Sequence, residues 1–317
     1  MEAWVFVGLG LIILLLAGDL LVKGAVNLAL RLGIPALIIS LTIVAFGTSA
    51  PELLIALDAV LSGQSGLAIG NVVGSNTANV LLVLGVPALI STLDTTECDT
   101  RQSYVYMMLG SLLFVGLAFT APLTWWQGLL LVGSLAFVLG KQFVNARAHR
   151  NTCNGPADME EDVEGADPEL PKWRIVLFLG LGIIGLPLGA DLLVDGASHI
   201  AKSFGMSDAA IGLTLVAIGT SLPELATTVM AALRRQADVA IGNVIGSNMF
   251  NLLAIVGITA LVAPIDVAKE FFRLDFWIML GASLMLAPFV FFRWKLTRLW
   301  GALFVGLYVS YILLVLT

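Results

Sequence analysis

The chain has 317 residues, 59% of them hydrophobic and 12% charged, with a mean hydropathy of +0.98. That is more apolar surface than a soluble fold of this size can hide from water, so lipid is the expected solvent for much of it. The formal charge of −6 points to no nucleic-acid partner, because much of the acidic excess falls in one short segment rather than along a face.

Crossing a hydrocarbon core takes roughly 20 helical residues. Apolar stretches of that order fall near residues 4–22, 36–61, 67–90, 103–121 and 124–143, and again near 174–194, 208–232, 238–262, 273–292 and 298–316. The first starts directly after Met1 and Glu2, without the basic leader and cleavage site of a signal peptide, and is expected to stay in the membrane. Between the two sets, Asn145 to Lys172 is a long polar segment containing Asn154, Gly155, Pro156, Glu160, Glu161, Asp162 and Glu164, and it reads as a flexible linker. The expected architecture is an all-α membrane protein with ten transmembrane helices. A first five-helix repeat occupies 1–144, an acidic linker 145–172, and a second five-helix repeat 173–317.

From Asp19 through Gly85 the halves align without a gap when 172 is added to each position. Asp19 falls on Asp191, Gly24 on Gly196, Gly47-Thr48-Ser49 on Gly219-Thr220-Ser221 and Pro51-Glu52 on Pro223-Glu224. Asn71 falls on Asn243, Gly74-Ser75-Asn76 on Gly246-Ser247-Asn248, Asn79 on Asn251 and Gly85 on Gly257. Shared apolar composition would match Leu and Val, not this set of Gly, Asn, Pro and Glu. Five helices per half is an odd number, so the second copy enters from the opposite side and the repeats are inverted, an arrangement typical of transporters. With the N-terminus outside, 13 of the 16 Lys and Arg residues face the cytoplasm, leaving Lys202, Lys269 and Arg273 outside. The expectation is a multi-pass protein of the inner membrane, both termini outside and the linker in the cytoplasm. Cys98 and Cys153 fall in connecting segments without metal or redox spacing and read as free thiols on the reducing side.

A carboxylate near the centre of an apolar helix costs about 2.5–3.5 kcal/mol on insertion scales, so it faces a cavity or a partner. Glu52 and Glu224 are two such groups, related by the repeat, and a divalent cation would satisfy both. Ala45, Thr48, Ser49 and Glu52 lie at i, i+3, i+4 and i+7 and share one helical face, a stripe repeated by Ala217, Thr220, Ser221 and Glu224. Pro51 and Pro223 lack the N–H that would reach the carbonyls of Gly47 and Gly219, so each helix is expected to kink or break there. Irregular backbone at membrane depth lines a cavity and can coordinate small cations. On the next helix of each half, Asn71, Ser75 and Asn79, and then Asn243, Ser247 and Asn251, form polar stripes at four-residue spacing. All these donors are hard oxygens, suited to Ca²⁺ and Na⁺.

The motifs GTSAPEL and GTSLPEL, followed by GNVVGSN and GNVIGSN, give the chain a resemblance to the sodium/calcium exchangers of the cation/calcium antiporter superfamily in their compact prokaryotic form. The resemblance covers nearly the whole chain. It implies an antiporter, not an enzyme, exchanging Na⁺ for Ca²⁺ by alternating access with net charge movement, with no cofactor and as a monomer in the lipid bilayer. Carried over by position, Glu52 and Glu224 would be the main calcium ligands, shared with sodium, completed by backbone oxygens of Thr48 and Thr220. Ala45, Ser49 and Ser75 would serve one sodium site, Ala217, Ser221 and Ser247 its counterpart, and Asn79 and Asn251 would line the middle. Many prokaryotic relatives and the potassium-dependent branch carry Asp where this chain has Asn251, which speaks against potassium dependence. The linker is also too short for the regulatory calcium-binding domains of animal exchangers.

A Ca²⁺/H⁺ antiporter using the same carboxylate cage is the alternative. An intramembrane hydrolase is opposed by the lack of a protease or metal motif, and a passive channel by the inverted repeats. Elsewhere the plainer readings hold. Asn71 and Asn243 serve as interhelical glue, Asp19 pairs with Lys23 one turn on, and Asp191 faces Asp195 instead. Asp58 is a helix-end acid, Glu160 to Glu164 is a solvated run without EF-hand spacing, and His149 and His199 are isolated. Trp294, Trp300, Tyr308 and Tyr311 read as interfacial anchors.

Overall fold

The computed structural model describes residues 2–95, 100–152, 167, 169–204 and 217–316. Cys98, Cys153, the acidic run 160–164 and residues 208–216 of the seventh apolar stretch lie outside this set. The described residues are helical throughout, without strands. In order they form α1 (Glu2–Leu32), α2 (Ala36–Ile39), a π-helical turn (Ser40–Val44), α3 (Ala45–Thr48), α4 (Ala50–Leu61), α5 (Ser65–Leu81), α6 (Gly85–Ile90), α7 (Arg101–Ala118) and α8 (Trp125–Thr152). Then follow α9 (Lys172–Ser203), α10 (Ala217–Gly219), α11 (Leu222–Leu233), α12 (Ala237–Met249), a second π-helical turn (Phe250–Ile255) and α13 (Val256–Val262). The chain ends with α14 (Lys269–Arg273), α15 (Asp275–Leu284), α16 (Ala287–Phe291) and α17 (Arg298–Leu316). Among the described residues six helices are long and apolar enough to cross a membrane, seven if Ala36–Thr48 and Ala50–Leu61, bent by 44°, count as one span. The protein is an all-helical membrane protein.

Two apolar cores organise these helices. The larger joins α4 to α8 with α12 to α17, around Phe114, Phe276 and Phe304. The smaller belongs to α1 and α9, through Leu14, Ala17, Leu21, Leu186 and Ala190. Those two helices run antiparallel, since Gly10 meets Leu193, Gly182 meets Leu21 and Gly196 meets Ala3. Their closeness depends on missing side chains. A Cβ on Gly10 would lie 2.6 Å from the backbone nitrogen of Leu193, and one on Gly182 would lie 2.6 Å from the Cβ of Leu21. Lipid tails are as apolar as Leu, so such backbone approach, rather than hydrophobic burial, is what holds helices together in a bilayer.

The halves also exchange contacts. Gly301 of α17 packs on Gly85 of α6, while Gly128 of α8 packs on Gly257 of α13. Two loop bridges do the same: Leu93 and Leu296 exchange N–H···O bonds of 3.0 Å, and Leu123 and Ile265 exchange bonds of 2.8 Å. Residue 93 plus 172 is 265, so a Leu93 bridge at one end of α7 has its counterpart at the other end.

Two expectations change. The first and sixth helices are longer than their apolar stretches of 4–22 and 174–194. In α1 the added length carries Asn27, which donates to the Lys23 carbonyl at 2.8 Å and accepts the Asp167 N–H at 2.8 Å. Tyr308 and Tyr311 are not interfacial anchors, because Tyr308 is buried and Tyr311 donates to Asp275 at 3.0 Å. Trp294 remains exposed, stacked at a tilt against Trp300.

The α1–α9 contact gives a direct test. Gly182→Ala should lower stability by about 1–3 kcal/mol through overpacking. Gly180→Ala, where an added Cβ meets nothing within 4 Å, should be neutral or stabilise by up to about 1 kcal/mol through helix propensity. Thermal unfolding of the two variants in the same detergent measures the difference.

Candidate functional site

Each glutamate sits in the first turn of a helix that restarts after a break. Ser49 is the residue between α3 and α4, with φ −87° and ψ 6°, and Ser221 precedes α11 with φ −91° and ψ 4°. Pro51 and Pro223 occupy the opening turn of the new helix, where the N–H that proline lacks would have had no helical partner. The backbone bonds flanking the first break run from Ser49 to the Ala45 carbonyl at 3.0 Å and from Leu53 to the Ser49 carbonyl at 3.3 Å. At the second break they run from Ser221 to Ile218 and from Leu225 to Ser221, both 3.0 Å. Glu52 and Glu224 therefore lie at helix N-termini, whose partial positive charge favours an anion.

Both carboxylates are fully buried. Glu224 Oε1 accepts from Ser49 Oγ at 3.1 Å, a contact from the other half of the chain and three residues before Glu52. Glu224 Oε2 and both oxygens of Glu52 have no protein partner. The same is true of Ser75 Oγ, Ser221 Oγ, Asn79 Oδ1 and both amide atoms of Asn251. Buried polar atoms are bonded as a rule. A concentration of unbonded oxygens on repeat-related residues is therefore the mark of a site for something that they would bind.

The remaining candidates fall as follows. Thr48 is buried, its hydroxyl 3.3 Å from the Ala45 carbonyl and 3.4 Å from both Asn243 Oδ1 and Ser247 Oγ. The Ala45 carbonyl is thus already engaged by Ser49 and by Thr48. Ser247 is buried. Thr220 is half-buried in the turn before α11, and Ala217 opens the short helix α10. Asn71 and Asn243 donate to the backbone carbonyls of Glu52 and Glu224, each at 3.4 Å, and Asn243 also donates to Thr228 at 3.2 Å. They tie each glutamate helix to its neighbour, as interhelical glue would. Among the described residues no three His, Cys, Asp or Glu side chains converge on one point. The chemistry offered is two carboxylates with neutral oxygens, a donor set for hard cations.

Two features were not read from the sequence. Asp19 pairs with Lys23 at 2.8 Å, as its spacing suggests, but also with Arg234 at the end of α11, whose Nε lies at 2.6 Å. No sequence signal links residues 215 apart. Between α5 and α12, Asn76 and Asn248 each donate to the other's backbone carbonyl, at 3.3 and 3.4 Å. Their signal was present in the repeat itself, since 76 plus 172 is 248. Finally, Asp58, Asp191, Asp195 and His199 are exposed.

Residues 2–144 and 174–317 match the protein family described as Sodium/calcium exchanger protein, and the chain belongs to that family. It is 34% identical to the sodium/calcium exchanger MaX1 of Methanosarcina acetivorans, over 96% of this chain and 95% of that one. It is 33% identical to the inner membrane protein YrbG of Escherichia coli, over 88% and 85%. Among solved structures, it resembles one of the sodium-calcium exchanger NCX_Mj with a TM-score of 0.79 at 30% identity, covering 99% of each chain.

The Asp19–Arg234 pair yields a stability test. Arg234→Gln should destabilise the protein by about 1–2 kcal/mol, because it strips one of two cationic partners from the partly buried Asp19. Adding Asp19→Asn should recover part of that loss. Thermal unfolding of both single variants and the double variant checks the coupling.

Proposed function

We propose that this protein exchanges Na⁺ for Ca²⁺ across the membrane by alternating access, with Glu52 and Glu224 as the shared anionic ligands. The observation that carries the reading is the pair of fully buried carboxylates, three of whose four oxygens lack a protein partner, each at the start of a broken helix. Two carboxylates balance one Ca²⁺ or two Na⁺. Ser49, Ser75, Ser221, Ser247, Asn79 and Asn251, with backbone oxygens near Ala45, Thr48, Ala217 and Thr220, supply the neutral oxygens that both ions need and a proton does not. Because Asn79 and Asn251 are uncharged, a third sodium would cross as uncompensated charge, which makes transport electrogenic.

The same reading takes the chain as ten passes in two inverted repeats at 1–144 and 173–317, joined by a cytoplasmic linker, with both termini outside. The loop bridges support it, since Leu93 and its repeat counterpart Ile265 each bridge to the other half, at opposite ends of α7, with partners one position out of repeat register. Alternating access draws support from an asymmetry. Helix α11 packs against α1, with Gly18 beside Ala226 and Asp19 bonded to Arg234. The repeat counterparts of Asp19 and Arg234 are Asp191 and Ser62, and both are exposed. Among the described residues the α1–α11 contact thus differs from its repeat equivalent, a difference of the kind that distinguishes one member of a pair of exchanging states.

Glu52→Gln and Glu224→Gln should each reduce calcium flux in proteoliposomes by ~100-fold or more while the protein stays folded and monodisperse, as expected for loss of a buried charge that binds the ion. Normal flux in either variant would remove the proposed site. For the wild type, calcium uptake should require internal Na⁺ and should slow when a membrane potential opposes Na⁺ exit. Uptake driven equally well by a pH gradient without Na⁺ would establish the proton antiporter instead. Orientation is tested separately. A membrane-impermeant thiol reagent should label Thr317→Cys, made with Cys153→Ser, from outside intact cells, and should leave native Cys153 unlabelled.

A further inference from the structure

Between α5 and α12, three buried asparagines form a chain of hydrogen bonds whose direction can be deduced rather than assigned. An asparagine amide has an oxygen end that accepts and a nitrogen end that donates, and the two ends have nearly the same shape. A backbone carbonyl only accepts. Asn248 lies 3.4 Å from the Asn76 carbonyl, so it must present Nδ2 there, and its Oδ1 must point the other way. Asn76 is fixed in the same manner by the Asn248 carbonyl at 3.3 Å. Asn248 Oδ1 in turn lies 3.1 Å from the amide of Asn79, which must meet it with Nδ2. Asn79 is then left with Oδ1 directed away from this chain, buried and without a protein partner.

We propose that Asn248 is a positioning residue that selects the oxygen end of the Asn79 amide for the transported ion. The inference rests on the ion site proposed above and assigns to Asn248 no contact with the ion itself. Without Asn248, nothing in this chain of bonds distinguishes the two ends of Asn79, and a flipped amide would present its partially positive NH₂ to a cation. The effect reaches across the halves, because Asn248 lies on α12 and Asn79 on α5.

The repeat-related arm is not closed in this structure. Asn251 occupies the place equivalent to Asn79, and Asn76 that equivalent to Asn248. Yet Asn76 Oδ1 and both amide atoms of Asn251 have no partner. The physical reason is local. Asn79 lies within the regular helix α5, whereas Asn251 lies in the π-helical turn Phe250–Ile255, whose wider winding changes the register of the side chains. Orientation is therefore imposed on Asn79 alone, and Asn251 can present either end.

A double-mutant cycle on sodium-driven calcium uptake in proteoliposomes tests the proposal, using Asn248→Ala, Asn79→Ala and the double variant. In the wild-type background Asn248→Ala should raise the half-saturating Na⁺ concentration by about five- to tenfold, the loss expected for one misdirected polar ligand. In the Asn79→Ala background the same substitution should change it by less than about twofold, because the group it orients is gone. A purely structural role would shift both backgrounds by the same factor, and that result would overturn the proposal. So would an unchanged Na⁺ dependence in Asn248→Ala alone. If Asn248→Ala does not fold, Asn248→Ser enters the same cycle, since it loses the amide that reads the Asn76 carbonyl. Glu52→Gln run alongside separates the two readings. An inactive Glu52→Gln with an additive cycle would retire only the role of Asn248, whereas an active Glu52→Gln would retire the ion site itself.

Discussion

An ionised carboxylate inside a low-dielectric body must meet positive charge or be driven neutral, and this fold buries two of them completely. Much of the local architecture follows from that constraint. Glu52 and Glu224 are placed at the starts of helices α4 and α11, where the backbone already offers partial positive charge. Starting a helix within the membrane requires a break before it. The Ser-x-Pro-Glu sequence makes that break with a serine in the bridge region and a proline that has no N–H to leave stranded. The surrounding donors are all neutral oxygens, so they can share a cation with the glutamates without adding repulsion.

A site of this kind needs walls that hold still and at least one that can move. Asn71 and Asn243 lock each glutamate helix to the polar helix that follows it. The loop bridges at Leu93–Leu296 and Leu123–Ile265 tie one half to the other at both ends. The α1–α9 pair is built differently. It has its own small core and a glycine-lined contact, and its faces away from the bundle carry exposed apolar side chains such as Leu11, Ile12, Leu16 and Ile184. Apolar side chains facing lipid slide at little cost, because a lipid tail and a neighbouring leucine are nearly equivalent solvents for them. The Asp19–Arg234 ion pair is a polar tie between that pair and the bundle.

Much of this was legible in the sequence, for physical reasons that can be named. The glutamates, the prolines and the small residues around them stood out because each is costly or rare in an apolar helix, and because each recurs 172 positions later. The apolar stretches located the helices, but not their ends. Asp19, Lys23 and Asn27 look like the end of a span when read by hydropathy, and they become tolerable inside α1 only once Arg234 and Asp167 are brought to them. The tyrosines of α17 were misread for the same reason, since an amphipathic ring is placed inside or at the interface by a partner such as Asp275 that sequence order does not reveal. Nor can the π-helical turns be read from a pattern. Each adds one residue to a turn without any signature comparable to proline or glycine.

What the repeat hides matters as much as what it shows. Under the alternating access proposed above, two halves identical in sequence would make inversion of the molecule interchange the two access states, which would then have the same energy apart from the different solutions on either side. A preference between them must then reside in positions where the halves differ. The structure puts several of these beside the pathway. Arg234 stands where the first half has Ser62, and Thr228, which accepts from Asn243, stands where the first half has Ala56. The π-helical turn at Asn251 is unshared as well, since Asn79 lies in the regular helix α5. On the proposed reading, the shared motifs would define an ion site common to both states, and the unshared residues around it would determine which state the resting protein occupies.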